Sequence, residues 1–91
     1  MIIYKYLLEQ DPTQVQLVSM PKGARILHVG EQYGELYAWA MVRPDATNVN
    51  YKFFVLGTGT PIRHLEMDVM FTNTVQMSNG LVWHVFYKGG E

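Results

Sequence analysis

The chain has 91 residues, with seven basic and eight acidic side chains and a formal net charge of −1. This balance excludes the Lys/Arg excess of a basic nucleic-acid-binding domain, and 48% hydrophobic residues exclude a disordered chain. The absence of cysteine excludes disulfides, thiol nucleophiles and zinc ribbons, and is typical of a reducing compartment. We therefore expect a single domain over residues 1–91, in the cytoplasm, with no nucleic-acid partner.

Branched and aromatic side chains dominate the composition. Val, Ile, Thr, Phe, Trp and Tyr make up 32 of the 91 residues, and there are only four Ala. Such side chains suit half-buried strands, whereas Ala-poor sequences form weak helices. The predicted fold is all-β, a single small antiparallel sandwich or barrel-like domain of six to seven strands. The candidate strands are residues 2–8, 15–20, 24–30, 36–42, 51–56, 64–77 and 81–88.

The first half of the chain alternates strands with turn signals. Residues 2–8 are apolar on both faces, which predicts a central strand. Pro21-Lys22-Gly23 separates the second and third strands, and Gln32-Tyr33-Gly34-Glu35 closes a hairpin onto the fourth. Residues 43–50 form the longest polar loop, and we expect it to be the most mobile one.

The second half follows the same pattern. Gly57-Thr58-Gly59-Thr60-Pro61 ends the fifth strand, and the sixth is expected to bend near Thr72-Asn73. Ser78-Asn79-Gly80 predicts a hairpin with a type I′ turn, because Asn-Gly accepts positive φ. No run approaches the ~20 apolar residues of a membrane-spanning helix, so no membrane partner is expected.

Motifs in order along nearly the whole chain carry a resemblance to a known family. They are Ile3-Tyr4-Lys5-Tyr6, Met20-Pro21-Lys22-Gly23-Ala24-Arg25-Ile26-Leu27, Tyr37-Ala38-Trp39-Ala40, Gly57-Thr58-Gly59-Thr60-Pro61-Ile62, Gln76-Met77 and Gly80-Leu81-Val82-Trp83-His84-Val85-Phe86. On these motifs the sequence resembles a family of small phage and prophage proteins classed as a domain of unknown function. The resemblance implies a phage-encoded protein, and it transfers neither an activity nor catalytic residues.

The segment 57–64 is the most suggestive candidate for a ligand site. Two glycines allow backbone N–H groups to converge, two threonine hydroxyls can donate, and an arginine supplies a fork-shaped cation. The spacing is not that of a Walker loop, and a local bulged turn is the alternative interpretation. A small anionic, nucleotide-like ligand is the predicted occupant. Its predicted contacts are Thr58, Gly59, Thr60, Arg63 and His64, joined across an interface by Arg25, Arg43 or Trp39.

Metal binding and catalysis find little support in the residue spacing. His64, Glu66 and Asp68 would share one face of a strand, but such neighbours lie ~6.6–7 Å apart, too far to bind one ion directly. We interpret them as a solvent-exposed face and predict no metal and no cofactor. Neither Ser19 nor Ser78 lies in a Gly-x-Ser-x-Gly motif. We predict that the protein is not an enzyme.

Two aromatic strands remain as candidates for the core or for an interface. Residues 81–88 are apolar on both faces, which predicts a sandwiched strand or a subunit contact, with Trp83 in the core. The fourth strand has a small-residue face at positions 36, 38, 40 and 42 and a bulky face elsewhere. The bulky face has the residue types enriched at interfaces, and the sequence predicts equally a core position and an interface position for Trp39. Its members are Tyr37, Trp39, Met41 and Arg43.

Three functions are compatible with these features. The first is a non-enzymatic phage protein that binds and inhibits a host enzyme or defence factor. The alternative is an oligomer that sequesters a nucleotide-derived signal, and the second alternative is a virion assembly component that uses its sheet edges. A thin core and strands apolar on both faces predict a homo-oligomer, most simply a two-fold dimer.

Overall fold

The computed structural model describes residues 1–62 and 65–90, and these residues contain seven β-strands and no helix. The all-β prediction is therefore confirmed. Nothing in the described residues is a helix long and apolar enough to cross a membrane. The strands are β1 (Ile2–Leu8), β2 (Gln16–Pro21), β3 (Arg25–Gln32), β4 (Glu35–Val42), β5 (Asn48–Gly57), β6 (Met70–Gln76) and β7 (Val82–Lys88).

The strands form two antiparallel sheets that pack face to face. One sheet has the strand order β1-β4-β3, and the other has the order β2-β5-β7-β6. Because each sheet keeps its own hydrogen-bonded ladder, the sandwich is the correct one of the two predicted arrangements. Strands β1, β3, β2 and β6 lie at the sheet edges.

Strand β4 shows how alternation fills the core with small residues on one side. Its core-facing residues are completely buried, while the residues between them stay partly exposed. Small side chains fit here because the same core contains the bulky rings of Phe53 and Trp83 from the other sheet. The core-facing residues of β4 are Leu36, Ala38, Ala40 and Val42.

Trp83 is a core residue, as predicted. Only 7% of it is exposed, and its Nε1 donates a hydrogen bond to Gln10 Oε1 at 3.1 Å. A buried indole N–H needs such a partner. Since Gln10 lies between β1 and β2, this bond also ties that link to β7.

Side-chain amides connect the two sheets where backbone ladders do not. Asn73 of β6 accepts from the Val29 N–H at 3.0 Å and donates to the Val29 carbonyl at 2.7 Å. Gln16 of β2 accepts from the Glu9 N–H at 2.7 Å and donates to the Glu9 carbonyl at 2.6 Å. An amide has both a donor and an acceptor, so one side chain satisfies both backbone groups of a residue on or directly after a strand of the other sheet.

The hairpin between β6 and β7 lies where predicted, but its turn type differs. A type I′ turn needs positive φ at two successive residues, and only Gly80 has it, with φ 92°. Gly80 N donates to Met77 O at 3.0 Å, which gives a three-residue loop with glycine in the left-handed position. The type I′ turn occurs instead between β3 and β4, at Tyr33 (φ 54°) and Gly34 (φ 78°).

The prediction that residues 2–8 form a central strand is wrong. Strand β1 pairs with β4 alone, and Ile2, Ile3, Tyr4 and Leu7 are 41–55% exposed. An apolar pattern reports which faces of a strand are apolar, and it does not report how many neighbours the strand has. Only Leu8, at the end of β1, is fully buried.

The prediction of the longest loop is also wrong. Strand β5 begins at Asn48, so the link after β4 is only residues 43–47. The longest link joins β5 to β6, because β6 begins at Met70 and not at residue 64.

The expected exposed strand face around residue 66 is not formed. Asp68 has φ 66°, which is incompatible with an extended strand, and residues 65–69 belong to the link before β6. His64, the first member of that expected face, lies outside the described residues. The predicted bend of the sixth strand is confirmed as a β-bulge between Phe71 and Asn73.

Candidate functional site

The segment predicted to bind an anion folds as a tight turn after β5. Gly59 has φ 79°, and Thr60 N donates to Gly57 O at 3.4 Å. Thr58 Oγ1 lies 2.6 Å from His84 Nε2. The Thr60 amide and the Thr58 hydroxyl are therefore engaged within the chain, as the local-turn interpretation expects.

His84 fixes the start of this loop to the four-stranded sheet. Its Nε2 contacts Thr58, and its Nδ1 lies 2.9 Å from the hydroxyl of Thr74 on β6. A neutral imidazole donates at one nitrogen and accepts at the other, so both contacts can be satisfied together. The histidine thus positions the loop.

Glu66 fixes the later part of the loop to the same sheet. Its carboxylate accepts from Lys52 Nζ at 2.7 Å, and Lys88 Nζ lies 3.5 Å from the second oxygen. Lys52 and Lys88 are cross-strand partners on β5 and β7, where like charges would otherwise repel. The hydrogen bond from Lys52 holds the pKa of Glu66 below its ordinary value, with smaller contributions from both lysine charges, against an opposing effect of desolvation.

We expect Glu66→Gln to lower the melting temperature at neutral pH and to lose this effect in acid. A carboxyl with a lowered folded-state pKa stabilises the fold above its unfolded pKa, and that contribution disappears as pH falls through the folded value. Thermal melts of wild type and Glu66→Gln between about pH 6 and pH 3 measure the difference in their melting temperatures. A gap that is constant across this range would contradict the role assigned to the charge.

Two pockets flank the loop on the outer side of the four-stranded sheet. The first has a volume of about 330 Å³ and mainly apolar walls, and the second has about 320 Å³. Phe54 is only 2% exposed although it points away from the sandwich core, so this outer face is covered. The first pocket is lined by Pro12, Val15, Phe54, Leu56, Pro61 and Leu65, among others, and the second by Thr58, Thr60, Phe71, His84 and Phe86, among others.

The predicted ligand contacts fall into two groups on different sheets. One group lies in the turn beside the four-stranded sheet, and the other belongs to the three-stranded sheet or directly follows it. A site that used both groups would need a second chain, and the ligand site stays a prediction. Arg63 and His64 lie outside the described residues. The described groups are Thr58, Gly59 and Thr60 in the turn, and Arg25, Arg43 and Trp39 on the other side.

The outer face of the three-stranded sheet is rich in large apolar and aromatic side chains. Strand register places the odd-numbered residues of β1 and β4 there, beside residues of β3 on either side of its bulge. All of them are at least partly exposed. We name this surface the aromatic face, and it comprises Ile3, Lys5, Leu7, Arg25, His28, Tyr37, Trp39 and Met41.

Trp39 lies at the centre of the aromatic face. Its ring centroid is 6.0 Å from that of Tyr37 and 6.5 Å from that of His28. A Cβ on Gly30 would come within 3.2 Å of His28 and 3.5 Å of Trp39. The glycine therefore leaves room for both rings to lie close to β3.

Two cations lie on the aromatic face. Lys5 Nζ sits 4.4 Å from the centroid of the Tyr37 ring, in cation–π geometry, and it also donates to Gln32 Oε1. Arg25 is exposed beside Met41, its cross-strand partner. The face therefore combines an aromatic centre with positive charge.

The sequence placed Tyr37, Trp39 and Met41 on one face and gave Arg25 only as a ligand contact, and it did not reveal their neighbours on β1. The missing signal was the alternation of Ile3, Lys5 and Leu7, which becomes visible only once β1 is known to pair with β4 in register.

Fold and surface together define a small β-sandwich with one loop-covered outer face and one open aromatic face. A family model described as Domain of unknown function (DUF7352) matches residues 1–91. The chain belongs to this family. No curated protein and no solved structure shows a significant match to it.

Proposed function

We propose that this chain is a phage-encoded, non-enzymatic protein that binds a host protein in the host cytoplasm and inhibits it. The phage origin is supported by the motif resemblance from Ile3-Tyr4-Lys5-Tyr6 to Gly80-Leu81-Val82-Trp83-His84-Val85-Phe86. The binding role is supported by the aromatic face. Inhibition would follow from covering a functional surface of the host protein.

The observation that carries the proposal is the orientation of β4. This strand buries Ala38 and Ala40 completely and leaves Tyr37, Trp39 and Met41 partly exposed. Packing against Phe53 and Trp83 accounts for the small inward residues, but it does not require large apolar side chains on the outward side, where the solvated face of an antiparallel sheet is commonly polar. An exposed cluster of large apolar side chains is the informative exception, and it marks an interaction surface.

The chemistry of the face indicates what its partner presents. Aromatic, methionine and arginine side chains are the types enriched at interface cores and hot spots. Lys5 and Arg25 would meet carboxylates at the rim, where charge mainly sets association rate and specificity. We therefore expect a host protein surface with an apolar centre and acidic surroundings.

Trp39→Ala should weaken binding to that host protein by about tenfold or more, as expected for a central aromatic anchor. Met67→Ala is the matched control, since Met67 is 84% exposed and lies in the link before β6, away from the aromatic face. Capture from lysate of a susceptible host identifies the partner, and calorimetry with the purified partner measures affinity. Far-UV circular dichroism checks that both variants keep the fold.

Arg25→Glu provides a second variant that tests charge on the same face. The proposal requires that both aromatic-face variants lose affinity for the partner, that Met67→Ala keeps it, and that the partner's own activity falls when wild type is added. A partner bound equally well by wild type, Trp39→Ala and Arg25→Glu would move the interface elsewhere and overturn the proposal.

A further inference from the structure

Strand β1 has the composition of a central strand and the position of an edge strand. Met1, Ile2, Ile3, Tyr4 and Leu7 are all 41–71% exposed, the densest group of exposed apolar side chains in the described residues. One edge of β1 pairs with β4, and its other edge has no neighbour in the described sheet order. A long, apolar, unpaired edge is a template for pairing with another chain.

The other edge strands have protections that β1 lacks. Strands β3 and β6 are joined to each other through Asn73 and Val29, and both contain a bulge. Strand β2 ends in Pro21. Its Gln16 also bonds to Glu9, which lies after β1, so this bond leaves the free side of residues 2–8 unpaired. Bulges, prolines and covered edges are the devices by which proteins prevent edge pairing.

The one charge on β1 does not guard its free edge. Lys5 reaches across β4, because its Nζ donates to Gln32 on β3 and lies over the Tyr37 ring. An edge lysine prevents pairing by placing its charge along the open ladder, and this lysine is drawn toward the opposite side of the sheet.

We infer that two copies of the chain pair antiparallel along β1 across a two-fold axis. Two-fold dimers are the commonest assemblies of identical chains, and this pairing would give one continuous sheet with the order β3-β4-β1-β1-β4-β3. The second copy supplies the neighbour that the apolar pattern of β1 predicts. It also covers Ile2 and Tyr4 at the open end of the sandwich.

Side-chain direction and charge determine the register. Core-facing residues must lie opposite core-facing residues, since a slip by one residue turns every side chain to the other face. The pairing is therefore centred on one residue. Centring on Lys5 would place two lysines directly opposite each other, which is destabilising.

Centring on Tyr4 removes this conflict. Tyr4 then lies opposite Tyr4 of the second copy, and Ile2 lies opposite Tyr6, which gives aromatic and aromatic–branched pairs of the stabilising kind. Centring on Ile3 would leave Tyr6 and Leu7 of β1 outside the pairing, and centring on Tyr6 would leave Ile2 and Ile3 outside it. The geometry therefore favours the register centred on Tyr4.

The inference does not depend on a host partner. Edge pairing leaves both aromatic faces open, side by side on one sheet. A variant that breaks the dimer thus leaves Trp39 in place, and Trp39→Ala leaves the dimer intact, so each proposal can fail without the other.

The first test is the solution mass. Light scattering at micromolar concentration should give twice the 10.5 kDa of one chain. Tyr4→Lys should give a monomer, because it places two positive charges opposite each other at the axis. Leu17→Lys is the matched control: Leu17 is 62% exposed on β2, an edge strand of the other sheet, and this variant should remain a dimer.

The second test separates a broken interface from a broken fold. Tyr4→Lys and Tyr4→Glu should each be monomeric, and mixing them should restore the mass of a dimer because opposite charges then face each other. The chain has no cysteine, so single-cysteine variants report single positions. Mild oxidation should cross-link Tyr4→Cys but not Lys5→Cys or Leu17→Cys.

Three results would overturn the inference. They are a wild-type mass equal to one chain, a dimer that survives Tyr4→Lys, and cross-linking of Lys5→Cys in place of Tyr4→Cys.

Discussion

Alanine in place of Phe53 should lower the free energy of unfolding by about 3–5 kcal/mol. Phe53 is completely buried and is the largest of the fully buried side chains in the described residues. It lies on β5, inside the four-stranded sheet, and its ring stacks with that of Tyr87 at 6.0 Å between centroids. Truncation loses the favourable free energy of burying the ring, and it leaves a cavity between two sheets that are held apart by their other side chains. Small domains have only about 5–15 kcal/mol in total, so the loss is a large share.

Urea denaturation followed by tryptophan fluorescence measures this loss. Phe71→Ala is the matched control, because it makes the same chemical change at a residue that is 55% exposed on β6. We expect the control to cost less than about 1.5 kcal/mol, since most of its ring stays in water in the native state. Phe53→Leu keeps most of the volume and should fall between the two. Equal losses at Phe53 and Phe71 would contradict the assigned core.

The sequence predicted the number of strands and the two faces of β4, because alternation is a direct consequence of sheet geometry. Residues 36–42 alternate small and bulky side chains, and β4 indeed directs the two sets to opposite faces. The pattern alone did not show which set is buried. That choice depends on the volume that Phe53 and Trp83 contribute from the other sheet, and strands distant in sequence determine this volume.

The order in which strands pair within each sheet was the least predictable feature. Residues 2–8 resemble a central strand in composition, yet β1 lies at an edge. A strand face can be apolar because it contacts exposed aromatic neighbours or another chain, and the composition does not distinguish these cases from burial. Residues 64–68 alternate like a strand, but Leu65 and Glu66 instead help to cover the outer face around Phe54 and Lys52. Local periodicity carries no information about such coverage.

Turn type followed hairpin register more than residue preference. Asn79-Gly80 is the preferred pair for a type I′ turn, yet the loop has three residues and only glycine takes positive φ. Tyr33-Gly34 forms the type I′ turn although tyrosine disfavours positive φ. The pairing of Gln32 with Glu35 leaves two residues to reverse the chain, and that constraint overrides the local preference.

Asn73→Ala is expected to lower the free energy of unfolding by about 2–4 kcal/mol, because it leaves two buried backbone groups without hydrogen-bond partners. Asn73 accepts from the Val29 N–H and donates to the Val29 carbonyl. Val29 is completely buried, so bulk water does not reach either backbone group in the folded wild type. Gln76→Ala, at an exposed amide in the same strand, should change the free energy of unfolding by no more than about 0.5 kcal/mol.

Asn73→Asp tests the same bridge by the sign of a pH dependence. The carboxylate can still accept from the Val29 N–H, but it places a negative charge against the Val29 carbonyl and cannot donate to it. Its folded-state pKa should therefore be raised above the unfolded value of about 3.9. A carboxyl with a raised folded pKa destabilises the fold when it ionises, so the loss of unfolding free energy relative to wild type should be largest near pH 7 and shrink as pH falls toward the unfolded pKa.

Gln76→Glu makes the same amide-to-carboxylate change in solvent and should show no such recovery. If Asn73→Asp instead lost further stability relative to wild type in acid, the Val29 carbonyl would not be its neighbour, and the connection between the two sheets would have to be assigned to other residues.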